Sequence, residues 1–227
     1  MTTQIYNALD ARSDEEKKVV LPRFFKTGKG QYGEGDMFLG VTVPNIREVA
    51  KEFKDVNFDI IEELIHSPRH EMRMCALLIL VNNSKKEVTK DTFDFYLSQT
   101  KHINNWDLVD LSAPQIVGKF LLDKERDILY RLAESDLLWD NRIAIVSTLT
   151  FIRNNDLDDT YKLSLKMMNH KHDLMHKSIG WMLREAGKRD TQRLYDFVQD
   201  YKNIMPRTML RYSIEKFDKE TRKELMS

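Results

Sequence analysis

Cysteine, net charge and long apolar runs are all scarce in this sequence of 227 residues. The single cysteine, Cys75, excludes an intrachain disulfide, and its apolar neighbours predict a buried thiol. The longest apolar run, residues 75–81, is far shorter than the ~20 residues that cross a bilayer, so we expect no membrane partner. No secretory signal precedes the first helical segment, and a cytoplasmic location is therefore expected.

The charges of the chain balance, because lysine plus arginine and aspartate plus glutamate each number 36. A net charge of zero gives no general attraction to nucleic acid but leaves room for a local basic surface. Apolar residues make up 41% of the chain and charged residues 32%, which is typical of a folded domain rather than a disordered chain.

Glycine is also scarce, and four of the eight glycines lie together in TGKGQYGEGD, residues 27–36. Gly28, Gly30 and Gly33 match the letters of the dinucleotide-binding fingerprint G-x-G-x-x-G. That fingerprint requires a strand before it and a helix directly after it, and this sequence predicts neither. We therefore expect a glycine-rich loop or a short hairpin at 27–37 rather than a cofactor site.

Helix signals dominate what is present. Apolar residues recur at spacings of three and four, and alternating strand patterns are nearly absent, so we expect about a dozen helices. Ser13 and Glu16 have the spacing of a capping box at a helix start. Pro44, Pro68 and Pro206 each stand just before a helical pattern, where proline is well tolerated.

The helices also repeat along the chain. Aligning the second helix of each predicted pair places Arg73, Asp110, Arg142, Lys177 and Arg211 at one position, with steps of 37, 32, 35 and 34 residues. Periods of this size with two helices per unit indicate repeats of the HEAT type. We therefore predict an all-α HEAT-like repeat α-solenoid, a right-handed superhelix of antiparallel helix pairs, forming one domain over residues 1–227 with a concave binding face.

The repeated position is charged in every unit, and tryptophans lie one helical turn away from it. Trp106 is four residues before Asp110, and Trp181 is four residues after Lys177. One interpretation is a set of ordinary salt bridges between repeats with half-buried tryptophans, since charged stripes are usually solvated faces. The alternative is a binding site, because indole faces and a carboxylate both attract a cation.

The residues at the repeated position form a stripe along one face of the solenoid. The arginines and lysines of this stripe would repel a small cation but suit an anionic polymer that carries a local positive centre. Alkylated DNA has that character, since a purine methylated on a ring nitrogen is cationic and the backbone is polyanionic. Its glycosidic bond already has an activated leaving group, so one carboxylate beside the sugar is enough to stabilise the developing oxocarbenium ion.

The segments WDLVD, LWDNRIAI and IGWMLRE carry a resemblance to the AlkD-type DNA glycosylases of the DNA alkylation repair superfamily, which are built on HEAT-like repeats. The resemblance implies excision of positively charged alkylated purines, such as 3-methyladenine and 7-methylguanine, from duplex DNA without a base-flipping pocket. It also implies that Asp110 is the catalytic aspartate, that Trp106 and Trp181 cradle the damaged nucleotide, and that Arg142 contacts DNA beside the site.

Further DNA-contacting residues follow from the same resemblance and from the stripe. Arg47 and Phe24 match helix positions near bound DNA, although Phe24 lacks the hydroxyl of the tyrosine expected there. The full set of expected DNA-binding residues is Arg47, Arg69, Arg73, Lys177, Arg211, Phe24 and Lys29. Lys29 belongs to the glycine-rich loop, and some relatives with an insertion near this place are associated with branched DNA.

Two other functions remain open from the sequence. The first is a non-catalytic protein of the same fold that binds branched DNA. The second is a protein-interaction solenoid whose stripe binds an acidic partner. Histidine pairs at 66 and 70 and at 172 and 176 lack a third zinc ligand, and no P-loop or nucleophile elbow occurs, so neither metal nor cofactor is expected. Trp139 is expected to be a packing residue, and the protein is expected to bind double-stranded DNA as a monomer.

Overall fold

The computed structural model describes residues 1–227, of which 65% are helical, and contains no strand. This confirms the predicted all-α class. The only β-type contact is an isolated bridge between Met37 and Arg69. In chain order the helices are α1 (Thr2–Asp10), α2 (Glu15–Phe24), α3 (Val43–Glu52), α4 (Phe58–Ile65), α5 (His70–Asn83), α6 (Lys90–Ser98), α7 (Trp106–Ala113), a π-helical turn (Pro114–Gly118), α8 (Asp127–Leu132), α9 (Leu138–Arg153), α10 (Asp158–Lys166), α11 (Asp173–Gly187), α12 (Thr191–Tyr201), α13 (Arg207–Ser213) and α14 (Lys219–Met226).

The chain divides into two compact units, Met1–Ser112 and Ala113–Ser227. The single domain expected over residues 1–227 stays a prediction. In the first unit α5 is the central helix, packing against α1, α3 and α4. Its residues from His70 to Leu80 are all buried, which explains why its sequence lacks a polar face.

The second unit is organised around α9 and α11. Helix α9 packs against α8, α10, α11 and the π-helical turn, while α11 also packs against α12 and α13. Gly180 allows the close approach of α11 and α13, because a Cβ at this position would lie 2.6 Å from the Met209 carbonyl oxygen. Trp139 is 5% exposed at the start of α9, which confirms that it is a packing residue.

The helix starts follow the sequence signals with one correction. Asp14, not Ser13, is the N-cap of α2, and its carboxylate accepts a hydrogen bond from the Lys17 amide at 3.1 Å. Either side chain can cap a helix, and the aspartate also favours the positive end of the helix dipole. Pro44 lies in the first turn of α3, and Pro206 is the N-cap of α13, as the sequence predicted.

The glycine-rich segment is a run of turns between α2 and the start of α3, not a hairpin. Gly30 and Gly35 have φ angles of 74° and 87°, in the left-handed region that glycine adopts without strain. A helix precedes the segment, and α3 does not open directly after it. The dinucleotide-binding interpretation is therefore excluded by its own structural requirement.

No helix is both long and apolar enough to cross a membrane. Cys75 is fully buried in α5, as predicted, and burial raises the pKa of its thiol to about 12. A thiol with such a pKa is almost entirely protonated at neutral pH, so Cys75 is a packing residue rather than a nucleophile.

Candidate functional site

Helix α7 begins at Trp106, and its first turn is fixed by two side chains. The Asn105 side-chain oxygen accepts a hydrogen bond from the Trp106 amide at 2.8 Å, and the Asp107 carboxylate accepts one from the Leu108 amide at 2.9 Å. Asn105 is fully buried, so this end of the helix is held from inside the first unit. Trp106 and Asp110, four residues apart, are both half-buried and project from the same face.

That face of α7 forms one wall of a cavity of about 590 Å³ in the first unit. Helices α2 and α3 and the segment between them provide most of the remaining walls. The cavity brings together four residues that the sequence singled out, and these are Phe24, Arg47, Trp106 and Asp110. Most other lining side chains are apolar, including Leu21, Val41, Ile46 and Met74.

Aromatic rings surround Trp106 on the side of α2. Phe25 stacks on the indole with ring centroids 5.6 Å apart, and Phe24 meets it edge-on at 6.0 Å. Phe25 is buried, whereas Phe24 is 58% exposed, so Phe24 presents a large apolar face to solvent beside the cavity. A partly covered indole next to an exposed phenyl ring is suited to stacking with a planar ligand.

A buried charged cluster lies behind this wall and was not expected from the sequence. His70, the first residue of α5, donates from Nδ1 to Asp36 at 3.2 Å and from Nε2 to Asp107 at 2.8 Å. Asn105 also donates to Asp36, at 3.4 Å. His70 thus links the end of the glycine-rich segment to the first turn of α7. Phe25 and Phe38 pack against its ring, with centroids 4.8 and 4.9 Å away.

The protonation of His70 follows from its neighbours. Burial by itself lowers the pKa of the imidazole, but the hydrogen bonds to Asp107 and Asp36 outweigh burial and raise the pKa to about 9. His70 is therefore a cation at neutral pH, enclosed between two carboxylates. A residue that donates both ring protons to two carboxylates is a structural link rather than a proton shuttle.

Arg73 belongs to the same cluster, and its contact with DNA stays a prediction. The side chain is 5% exposed, Nη2 lies 2.7 Å from the Asp36 carboxylate, and Nη1 donates to the Ser67 carbonyl oxygen at 2.8 Å. The repeat register located Arg73 on a particular helix face. It did not show that α5 is enclosed on every side. Because α5 is enclosed, the guanidinium pairs with groups within the fold.

Glu71 completes the first turn of α5 with three more hydrogen bonds. Its buried carboxylate accepts from the amides of Leu39, Gly40 and Val41 at 2.9, 2.9 and 3.2 Å. These amides lie between the glycine-rich segment and α3. Together with His70, this carboxylate fixes the chain that forms one side of the cavity.

The remaining predicted residues of the first unit lie outside the cavity lining. Arg69 is the N-cap of α5, and its guanidinium stacks over the Tyr6 ring at 4.9 Å. Lys29 is exposed in the glycine-rich segment. Both remain expectations as DNA contacts, although Arg69 already has an aromatic partner.

In the second unit, Arg142 is less accessible than the sequence suggested. It is 5% exposed, and Nη1 donates to the Leu174 carbonyl oxygen at 2.8 Å. Its contact with DNA stays a prediction, and α9 is enclosed along this stretch. Lys177 is half-buried and pairs with Asp173 at 2.7 Å, while Trp181 is half-buried one turn further along α11. Arg211 is exposed on α13.

The histidines outside the His70 cluster are engaged in local contacts. His66 hydrogen-bonds the Gln99 side chain at 2.7 Å and packs against His102 with centroids 4.0 Å apart. His172 caps α11 by accepting from the Leu174 amide at 3.1 Å. No group of three or more histidine, cysteine, aspartate or glutamate side chains has the arrangement of a metal site.

Comparison with known proteins gives the class of fold and then the family. A predicted DNA alkylation repair enzyme from Enterococcus faecalis has a similar structure, with a TM-score of 0.74 and 15% sequence identity over 92% of this chain and 98% of that one. A second similar structure belongs to proteins described as related to the HEAT-like repeat DNA glycosylases with affinity for branched DNA structures. Its TM-score is 0.61 and its identity 13%, over 87% of this chain and 82% of that one. A search of curated proteins gives no match.

These neighbours confirm the HEAT-like repeat fold that the helix periodicity predicted. The sequence profile of the DNA alkylation repair enzyme family matches residues 5–217. The chain therefore belongs to the DNA alkylation repair enzyme family.

Proposed function

We propose that the protein hydrolytically excises positively charged alkylated purines from duplex DNA, with Asp110 and Trp106 as the central residues of the site. The observation that carries this proposal is the cavity of about 590 Å³ in which an indole, a carboxylate and a guanidinium meet. Trp106 and Asp110 favour a cation, whereas Arg47 on the same lining favours a phosphate. That combination matches a cationic base attached to an anionic backbone.

The chemistry requires little of the protein beyond electrostatic stabilisation. When the N-glycosidic bond breaks, its electron pair moves to the alkylated purine and cancels the positive charge of the base. The deoxyribose acquires oxocarbenium character, which the Asp110 carboxylate stabilises. Water then attacks the anomeric carbon and loses a proton, leaving an abasic site and a neutral free base.

Contacts with the lesion are proposed to be stacking contacts. The Trp106 face and the exposed Phe24 ring offer flat apolar surfaces, and the cavity walls provide few groups for pairing with a base edge. A base that is read in a pocket needs such groups. We therefore keep the proposal that excision proceeds without a base-flipping pocket. Trp181, Lys177, Arg69 and Lys29 remain proposed DNA contacts of a monomer, and the cytoplasmic location stays a prediction.

The charge of the lesion is expected to determine which bases this site releases. Duplexes carrying 7-methylguanine or 3-methyladenine should release free base, whereas duplexes carrying uracil or hypoxanthine should release little or none. The cationic bases leave without protonation, and the cavity lining holds no histidine free to act as a general acid, because His70 is committed to Asp36 and Asp107. Chromatography of the released base measures the outcome. Efficient release of uracil would show that the site activates neutral leaving groups and would refute this account.

A second candidate function is non-catalytic binding of branched DNA. It is favoured by the structural neighbour whose title states affinity for branched DNA structures, and by the glycine-rich segment of this chain. Salt-sensitive binding without release of any lesion, and with preference for a four-way junction over a linear duplex, would establish this alternative.

A further inference from the structure

Helices α13 and α14 in the second unit enclose a groove of about 410 Å³ with a strongly basic lining. We call it the α13–α14 groove. Its cations are Arg211 from α13 and Lys219, Arg222 and Lys223 from α14, and its only acid is Glu215. All four cations are exposed.

The three cations of α14 lie on one face of that helix. Arg222 and Lys223 lie three and four residues after Lys219, so both side chains are neighbours of Lys219 on the helix surface. Like charges at these spacings repel one another and destabilise an isolated helix. Such an arrangement favours an external anion that neutralises the face.

Three acidic residues near the groove already have partners, whereas Glu220 lies exposed in the first turn of α14. Glu215 forms ion pairs with Arg184 and Lys216. The Glu224 carboxylate accepts hydrogen bonds from the Tyr195 hydroxyl at 2.6 Å and from the Gln199 amide at 2.8 Å, and Asp218 caps α14. The four groove cations have no ion pair or hydrogen bond of their own side chains within the chain.

Two hydrogen bonds to main-chain carbonyl oxygens hold helix α14 in place. Arg207 donates from Nη1 to the Met226 carbonyl oxygen at 3.0 Å, and Lys202 donates to the Glu224 carbonyl oxygen at 3.3 Å. These bonds fix the last turn of α14 to the preceding helices. The cations are therefore presented on a positioned helix, which lowers the entropic cost of binding a ligand.

We propose that the α13–α14 groove binds the phosphate backbone of DNA, an inference that rests on the proposed function in taking DNA as the partner. Helix α14 begins at Lys219, beyond residues 5–217 that the family profile matches, so family membership does not assign a role to it. A DNA strand carries one negative charge every ~3.4 Å and can neutralise several neighbouring cations at once. Because the net charge of the chain is zero, attraction to DNA has to come from such a local concentration of cations.

The test is the salt dependence of binding to an undamaged duplex, measured by fluorescence anisotropy between 50 and 200 mM salt, a range over which phosphate contacts lose much of their affinity. The test variant is Lys219→Gln, Arg222→Gln and Lys223→Gln together. Its matched control is Lys54→Gln, Lys86→Gln and Arg131→Gln, which removes the same number and types of exposed cation elsewhere. Circular dichroism melting verifies that both variants are folded.

We expect the test variant to reduce the slope of log affinity against log salt by about two to three units, since each lost phosphate contact contributes ~0.9. The control should retain the wild-type slope. Arg211→Gln, which leaves α14 unaltered, should reduce the slope by about one unit.

Equal slopes in the test variant and its control, with release of methylated base intact, would overturn the groove proposal and leave the proposed function standing. Loss of polyglutamate binding with an unchanged DNA slope would assign the groove to an acidic protein and would also overturn it. An unmodified protein that neither binds duplex DNA nor releases methylated base would refute the proposed function itself.

Discussion

His70 connects the stability of the first unit to the position of the candidate site. Its imidazole holds Asp36, at the end of the glycine-rich segment, and Asp107, in the first turn of α7. Asp107 is three residues before Asp110 on the same helix, so the histidine fixes the helix that carries the proposed catalytic carboxylate. Moving either acid would remove one of the two carboxylates that balance the buried cation.

The pH dependence of folding should reveal this cation. The pKa of His70 is raised from 6.5 in the unfolded chain to about 9 in the folded protein. Its stabilisation is therefore fully present below pH 6.5 and is lost as the pH rises through 9. The total is on the order of 3 kcal/mol by linkage. Urea unfolding between pH 6 and 10 should show a decline over this window.

The variant His70→Gln should have a lower free energy of unfolding near neutral pH and should lose the part of the pH dependence that comes from this histidine. The matched control is His102→Gln, because His102 is exposed and its pKa is lowered, mainly by desolvation. The control should keep the decline of the unmodified protein. An unchanged pH profile in His70→Gln would contradict the assignment of a buried imidazolium.

The conformation of the glycine-rich segment depends on the absence of side chains at its glycines. A Cβ at Gly33 would lie 2.4 Å from the Phe25 carbonyl oxygen, so an alanine there requires the backbone to shift. The Asp36 amide donates to the Gly33 carbonyl oxygen at 3.1 Å, which transmits any shift toward the His70 cluster. The segment is thus coupled to the site through its buried residues Gly33 and Asp36.

Two glycine variants separate steric conflict from backbone strain. Gly35→Ala meets no atom within 4 Å but retains a φ of 87°, and should cost about 1 kcal/mol of stability. Gly33→Ala should cost more, because the conflict involves backbone that cannot rotate away. Thermal melting measures both variants. Equal and small losses would show that the segment moves freely and is not coupled to the cluster.

Helix α7 illustrates what the sequence could predict about the site. The spacing of Trp106 and Asp110 was enough to place both on one face, and the structure puts both in one cavity lining with Phe24 and Arg47. Local periodicity fixes such relations, because they depend only on the geometry of one helix. The partners of His70 were not predictable in this way, since Asp36 and Asp107 lie 34 and 37 residues away in sequence.

Across the whole chain, the repeat register predicted the fold better than it predicted the surroundings of each charged side chain. Each of its five positions lies in the second helix of a pair, on α5, α7, α9, α11 and α13. A shared register does not give a shared environment, however. Arg73 and Arg142 are buried and bonded within the fold, Asp110 and Lys177 are half-buried, and Arg211 is exposed beside the α13–α14 groove. Burial depends on how each helix is covered, which periodicity does not encode.

The chain belongs to the DNA alkylation repair enzyme family, and the proposed function assigns catalysis to Asp110. The most direct measurement is single-turnover release of 7-methylguanine from a methylated duplex by the unmodified protein and by Asp110→Asn. Asp136→Asn, at an exposed acid before α9, is the control for loss of a negative charge. The account predicts a rate at least ~100-fold lower for Asp110→Asn, with DNA affinity equal or slightly greater, because a contact specific to the transition state is removed. A wild-type rate in Asp110→Asn would contradict it.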